Sequence, residues 1–218
     1  MTGFSGSPQV FKGALIGLDP LKPVASVVVF QYNPEKVTRR LRPKTSGADG
    51  SEGEALRLTG PPEETFELDI EIDAVDQLAT GDPVAESLGI APQLASLEMM
   101  LYPPSALVIA NEALMLAGLI EVIAPEAPLA LLIWGPSRVL PVRVTDLTIA
   151  EEAYDPGLNP IQAKVTVAVR VLTYDDLGLA SVGGGLFLVH QIAKEVMASM
   201  AGVSSFTATA TAGLGGRA

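Results

Sequence analysis

The chain contains no cysteine, which excludes disulfide staples, thiolate metal sites and cysteine nucleophiles together. Histidine is nearly absent too: His190 stands alone, so the commonest general base has one place to act from. Positive charge is scarce. Lys and Arg number 14 against 25 Asp and Glu, a net charge of −11, the wrong sign for a protein that displaces counterions from nucleic acid. No run reaches the roughly 18–20 apolar residues that a membrane-spanning helix needs. The nearest, Ile120 to Trp134, is broken by Glu121, Pro125, Glu126 and Pro128. The first twenty residues place no positive segment before an apolar one, a poor match to a secretory signal. Together these absences lead us to expect a cytoplasmic protein.

What is present is apolar. Hydrophobic residues make up 48% and charged residues 18% of 218, enough to offset the ordering entropy of a domain with a real core. Val24 to Phe30 is a β-branched run that reads as a buried strand, with a turn at Asn33-Pro34. Lys36 to Pro43 sets Val37 and Leu41 among Arg39, Arg40 and Arg42, and residues 44–54 read as a flexible polar loop. Phe66 to Asp73 alternates strictly, Phe66, Leu68, Ile70 and Ile72 against Glu67, Asp69, Glu71 and Asp73, the period of a half-buried strand.

Residues 76–90 read as a loop around Gly81-Asp82-Pro83, Pro92 to Leu101 as a helix, and 105–118 as a second short helix. Leu129 to Trp134, Val139 to Ile149 and Gln162 to Leu172 read as three more strands. Tyr154 to Pro160, with Asp155-Pro156-Gly157 and Asn159-Pro160, forms a long turn before the last of them. After Tyr174 the composition shifts to a glycine triplet at 183–185, read as a hinge, then an apolar helix over 182–201 and a frayed tail. No internal repeat is evident. The division this implies is an arm or edge strand over 1–22, a β domain over 23–176, and a glycine-hinged C-terminal helix with a tail over 177–218.

A search for chemistry returns little. His190 sits beside Val189 and Ile192 with no orienting carboxylate or cleft to be placed near it, and reads as a helix residue at a packing surface. Glu67, Asp69, Glu71 and Asp73 suggest a divalent-cation site. Same-face carboxylates on a strand, however, stand about 7 Å apart along a solvated ridge and lack the turned loop that wraps an ion. Glu151-Glu152 points to opposite faces. The glycine triplet has no Lys-Ser or Lys-Thr after it and opens no phosphate loop. No catalytic residue, metal site or cofactor is expected, and the chain reads as a non-enzymatic structural component.

One ordered series of segments is more specific. Phe30-Gln31-Tyr32-Asn33-Pro34-Glu35, followed by Val37 and Arg39, resembles the opening of the tube and hub-adaptor family of contractile injection systems. The strand Phe66 to Asp73 follows in order, then a variable loop with a short helix. Pro128 to Gly135, containing Trp134-Gly135, and the pair Val139 to Glu151 and Asn159 to Leu172, containing Asn159-Pro160, complete the pattern. The series covers residues 24–175.

The resemblance implies a phage tail-tube-like antiparallel β-barrel or sandwich, mainly β with short helices and a C-terminal helical appendage. It implies copies in a hexameric ring, placed in a phage tail-like particle between the hub or spike and the inner tube or tube-initiator proteins. Many members carry a C-terminal LysM module. Residues 176–218 are too short for one and differently patterned, so peptidoglycan binding is not carried over. Alternatives are an inner-tube or tube-cap component, an envelope tether acting through residues 178–205, and, least of all, a metal-dependent hydrolase using the acidic strand. The acidic face would suit a wet lumen, and Arg39, Arg40 and Arg42 an edge that meets an acidic neighbour.

Overall fold

The computed structural model describes residues 11–18, 26–45, 57–118 and 128–214, with the backbone alone for Ser26 and residues 202–214. Residues 1–10 and 19–22 of the expected arm, 46–54 of the expected polar loop, and Val24 and Ala25 of the first expected strand lie outside the described residues, as do 119–127 and 215–218.

Alternation builds the body. Seven antiparallel strands run β1 (Ala14–Leu18), β2 (Ser26–Val29), β3 (Val37–Arg42), β4 (Glu63–Asp73), β5 (Leu129–Ile133), β6 (Val139–Tyr154) and β7 (Pro160–Val171). They form one sheet in the order β2-β1-β5-β6-β7-β4-β3. In β4 the residues at even positions from Glu64 to Ile72 are all buried, and Ala163, Val165, Val167, Val169 and Val171 of β7 face the same side. Register locks the two together through pairs such as Phe66 with Val169 and Ile70 with Val165. Residues 14–18, expected in an arm or edge strand, lie inside the sheet between β2 and β5. The apolar sequence ALIGL accounts for this, since Leu15 joins the core beside Val28 and Leu132.

A single rolled sheet results, mainly β with a helical C-terminal part. All seven strands contribute to one apolar core, which a flat sheet could not arrange. The curl is also visible at the seam. In a flat sheet β2 and β4, five spacings apart in the strand order, would be separated by roughly 24 Å. Yet the Gln31 amide, just past β2, donates to the Asp73 carboxylate at 3.1 Å and accepts from the Asp73 backbone N–H at 3.1 Å.

Helices plug the roll. α1 (Val75–Thr80), α2 (Pro83–Leu88) and α3 (Ala91–Glu98) follow β4, and Ile90, Leu94, Leu97 and Met100 enter the core. Two of them occupy the stretch expected as a loop. Gly81, at φ 71°, closes α1 in a left-handed conformation; Asp82 caps α2 by accepting from Val84 N and Ala85 N, and Pro83 takes its first turn. α4 (Ser105–Leu116) has no buried residue. α5 (Tyr174–Leu177) and α6 (Val182–Leu214) end the described chain.

The glycine triplet, expected as a hinge, has helical backbone. It lies inside α6, and a Cβ on Gly184 would stand 2.1 Å from the Gly178 carbonyl oxygen, so the glycine permits close helix packing. Helical backbone continues to Leu214, into the stretch expected as a tail.

Candidate functional site

The motif residues separate into two structural knots. Phe30 is buried and packs against Trp134 with ring centroids 6.3 Å apart. Gly13 makes room for both rings, because a Cβ there would lie 2.6 Å from Phe30 Cδ2 and 3.0 Å from Trp134 Cε3. Asn33 then ties the segment ahead of β1. Its amide donates to the Phe11 carbonyl and accepts from Gly13 N–H, both at 2.8 Å, imitating one backbone pair of a ladder. Pro34 is half-buried beside it. Gly135, at φ 73°, turns the chain so that Trp134 N–H reaches the Arg138 carbonyl at 2.8 Å. Three segments far apart in sequence therefore meet at one place.

Asn159 and Pro160 form the second knot. The Asp155 carboxylate accepts from both the backbone and the side-chain amide of Asn159 at 2.8 Å, and these bonds hold it below the usual carboxylate range. The Pro160 carbonyl accepts from Ile90 N–H at 2.8 Å, which fixes the helical plug to the β6–β7 turn.

Tyr32 of the motif is exposed, at 53%. The charge of Asp73, with lesser contributions from burial, Asp76 and Glu71, pushes its phenol above the ordinary value.

The outward surface is divided. Across β2, β1 and β5 it is apolar: Val27, Val29 and Leu18 are exposed, and Ile16, Leu131 and Ile133 are half-buried. Across β3, β4, β7 and β6 it is polar. Asp69 accepts from Thr166 Oγ1 at 2.8 Å, Glu71 from Gln162 Nε2 at 2.9 Å, and Lys164 pairs with Glu152 at 2.9 Å. The β4 carboxylates are thus spread along a ridge, with Asp69 and Glu71 bonded to β7 and Asp73 to Gln31. Among the described residues no group of three His, Cys, Asp or Glu converges to hold a metal ion.

The three arginines divide as well. Arg40 and Arg42 lie exposed on β3, a sheet edge. Arg39 does not join them: it turns to the core side, pairs with Glu64 and lies over the Phe66 ring, 5.8 Å from its centroid. Strand alternation requires this, since Arg39 is opposite Phe66 in the register. Arg39 is therefore committed within its own chain.

Glu64 is a residue the sequence reading passed over. It is 2% exposed and receives Arg39 from β3 and, at 3.0 Å, Lys194 Nζ from α6. The signal was there, because Glu64 occupies the apolar phase of β4 two residues before Phe66.

A cleft of about 420 Å³ opens at the seam, lined by Lys12, Phe30, Gln31, Ile72, Gln77 and Gln93 among others. Its charged lining residues are Lys12 and Asp76. No described helix is long and apolar enough to cross a membrane.

No known protein family matches the chain, and no curated protein does. Among solved structures, a chain of the anti-feeding prophage baseplate, determined by cryo-EM with 6-fold symmetrisation, is similar at 12% identity and a TM-score of 0.26. The alignment covers 77% of this chain and 93% of that one.

Proposed function

We propose that the chain is a non-enzymatic baseplate component of a contractile injection particle, an adaptor that joins the hub or spike to the inner tube and helps to start tube assembly. The observation that carries this reading is the convergence of the motif series. Phe30, Asn33 and Trp134-Gly135, recognised as separate segments, meet in one knot beside the sheet seam. The other marked pair, Asn159-Pro160, anchors the helical plug. The motif residues thus hold one rolled sheet together.

The divided surface supports assembly as the purpose of that sheet. β2 and β3 are edges, and unpaired strand edges need covering. An apolar outer half beside a charged one suits side-by-side copies in a closed ring, where each copy offers one patch and receives another. The four β4 carboxylates would line a surface along which other chains slide.

Electron microscopy and native mass spectrometry of the purified chain, alone and mixed with hub protein from the same particle, test the proposal. Closed rings, stacked rings or a stoichiometric hub complex are the expected results. A strict monomer in both conditions overturns it. The inner-tube or tube-cap role is distinguished in the same experiment, since a tube component would polymerise without the hub.

A further inference from the structure

The last helix is held to the sheet by a small set of residues with unusual electrostatics. Gly183, Gly184, Phe187 and His190 of α6 are buried, and the Phe187 ring meets Tyr174 edge-on with centroids 5.7 Å apart. Lys194 adds an ion pair with Glu64. From Glu195 to Ala201 every residue is exposed, including Val196, Met197 and Met200, and the helix backbone continues to Leu214. At 1.5 Å per residue the helix runs about 30 Å beyond Lys194. α6 is therefore an arm docked by its first three turns.

His190 lies in the middle of this docked stretch. Its side chain is buried, at 7% exposure, and Nδ1 has no hydrogen-bond partner among the described residues. Four charged groups act on it: Lys194 on α6, Glu64 on β4, Arg39 on β3 and Arg138 in the β5–β6 turn. Three of the four are cationic. Their one carboxylate is already shared by Arg39 and Lys194. A proton on His190 would add a fourth positive charge to a buried site with no further acceptor.

We propose that His190, Lys194 and Glu64 form an acid-releasable clasp, which holds α6 against the sheet at neutral pH and frees the arm as pH falls. The docked site disfavours imidazolium: burial first, and then the Lys194 charge, lower its pKa from the ordinary 6.5. Once α6 lifts away, His190 titrates near its ordinary value. Release therefore takes up a proton. The His190 contribution to docking is fully present above that value and is lost as pH drops below it. The close packing of Gly183 against Leu177 and of Gly184 against Gly178 belongs to the same docked interface.

Because the chain has no cysteine, two introduced thiols can carry unique spin labels in the full-length protein. Labels at Met200→Cys on the arm and Thr148→Cys on the outer face of β6 report the arm's position. We expect one narrow distance at pH 7.5 and a larger released population at pH 5.5, with Trp134 emission unchanged. His190→Gln, which cannot take up the proton, should hold the narrow distance across that range.

The single imidazole also gives an independent readout by NMR titration, and should titrate below 6.5 in the unlabelled native chain. A native imidazole titrating at or above 6.5 overturns the proposal. So does an unchanged distance at pH 5.5, or release of His190→Gln at the same pH as the native chain. Should His190→Gln fail to dock at pH 7.5, the native distance and imidazole titrations decide alone.

Discussion

At the scale of single residues, Glu64 and Gly13 hold positions that admit almost nothing else. Glu64 is 2% exposed, while Arg39 and Lys194 are each 32% exposed, so the three do not share one cost. Truncating Glu64 leaves two cations facing an apolar wall. Breaking a buried pair costs about 3–5 kcal/mol, and partial solvation of both partners lowers the expectation for Glu64→Ala to about 2–3 kcal/mol. Lys194→Met leaves Arg39 on the carboxylate and should cost under about 1 kcal/mol. Urea denaturation of the two variants checks the asymmetry. Gly13→Ala pushes a methyl group into the Phe30–Trp134 contact, an overpacking that costs about 1–3 kcal/mol. The single tryptophan makes it visible as a shifted emission spectrum.

Residue by residue, the sequence was informative where one period dominated. The alternation in β4 and β7 named the buried set, and Phe30 and Trp134 were marked as motif residues before their contact was known. Glu64 was missed for a physical reason. An acidic residue in an apolar phase reads as the end of a strand until its counter-charges are seen. One of them, Lys194, lies 130 positions away, where no local pattern reaches. Arg39 was misplaced by the same logic, being grouped with Arg40 by composition although alternation sends them to opposite faces.

At the scale of elements, two glycine-containing segments show how punctuation can mislead. Gly81-Asp82-Pro83 was read as a loop, but each residue is a helix signal in its own right: a left-handed C-cap, an N-cap and a first-turn proline. Two six-residue helices leave no periodicity long enough to outweigh that cluster. The triplet at 183–185 was read as a hinge because glycine weakens helices. What the sequence could not convey is that the Gly178 carbonyl approaches from outside. Neighbouring substitutions separate the two meanings. Gly184→Ala should destabilise the docked arm despite better helix propensity, since its methyl meets backbone at 2.1 Å. Gly185→Ala, with nothing within 4 Å of its Cβ, should stabilise by about 0.5–1 kcal/mol. Thermal melts of opposite sign for adjacent glycines are expected.

At the scale of the whole molecule, the fold class was legible because antiparallel sheets record their inward face in every strand. The strand order was not. That β1 sits inside the sheet, and that β2 and β3 are sequence neighbours yet opposite edges, depends on pairings that alternation leaves undetermined. This order decides which groups are offered to a second copy. β3 presents Arg40 and Arg42 on an exposed edge of a chain whose net charge is −11, so a neighbour meets them with a mostly acidic surface. Attraction between exposed groups is screened over a Debye length of about 8 Å at physiological salt and about 3 Å at 1 M. If ring assembly uses this edge, its population should fall steeply between those two conditions. The double variant Arg40→Glu with Arg42→Glu should prevent assembly even at low salt, while leaving the monomer's unfolding midpoint within about 0.5 kcal/mol of the parent, because exposed charges contribute little to stability. Sedimentation velocity at both salt concentrations, paired with urea unfolding, measures the two quantities separately. Rings that persist in the double variant would place the contact elsewhere, on the apolar outer half formed by β2, β1 and β5, where added salt should strengthen association instead of weakening it.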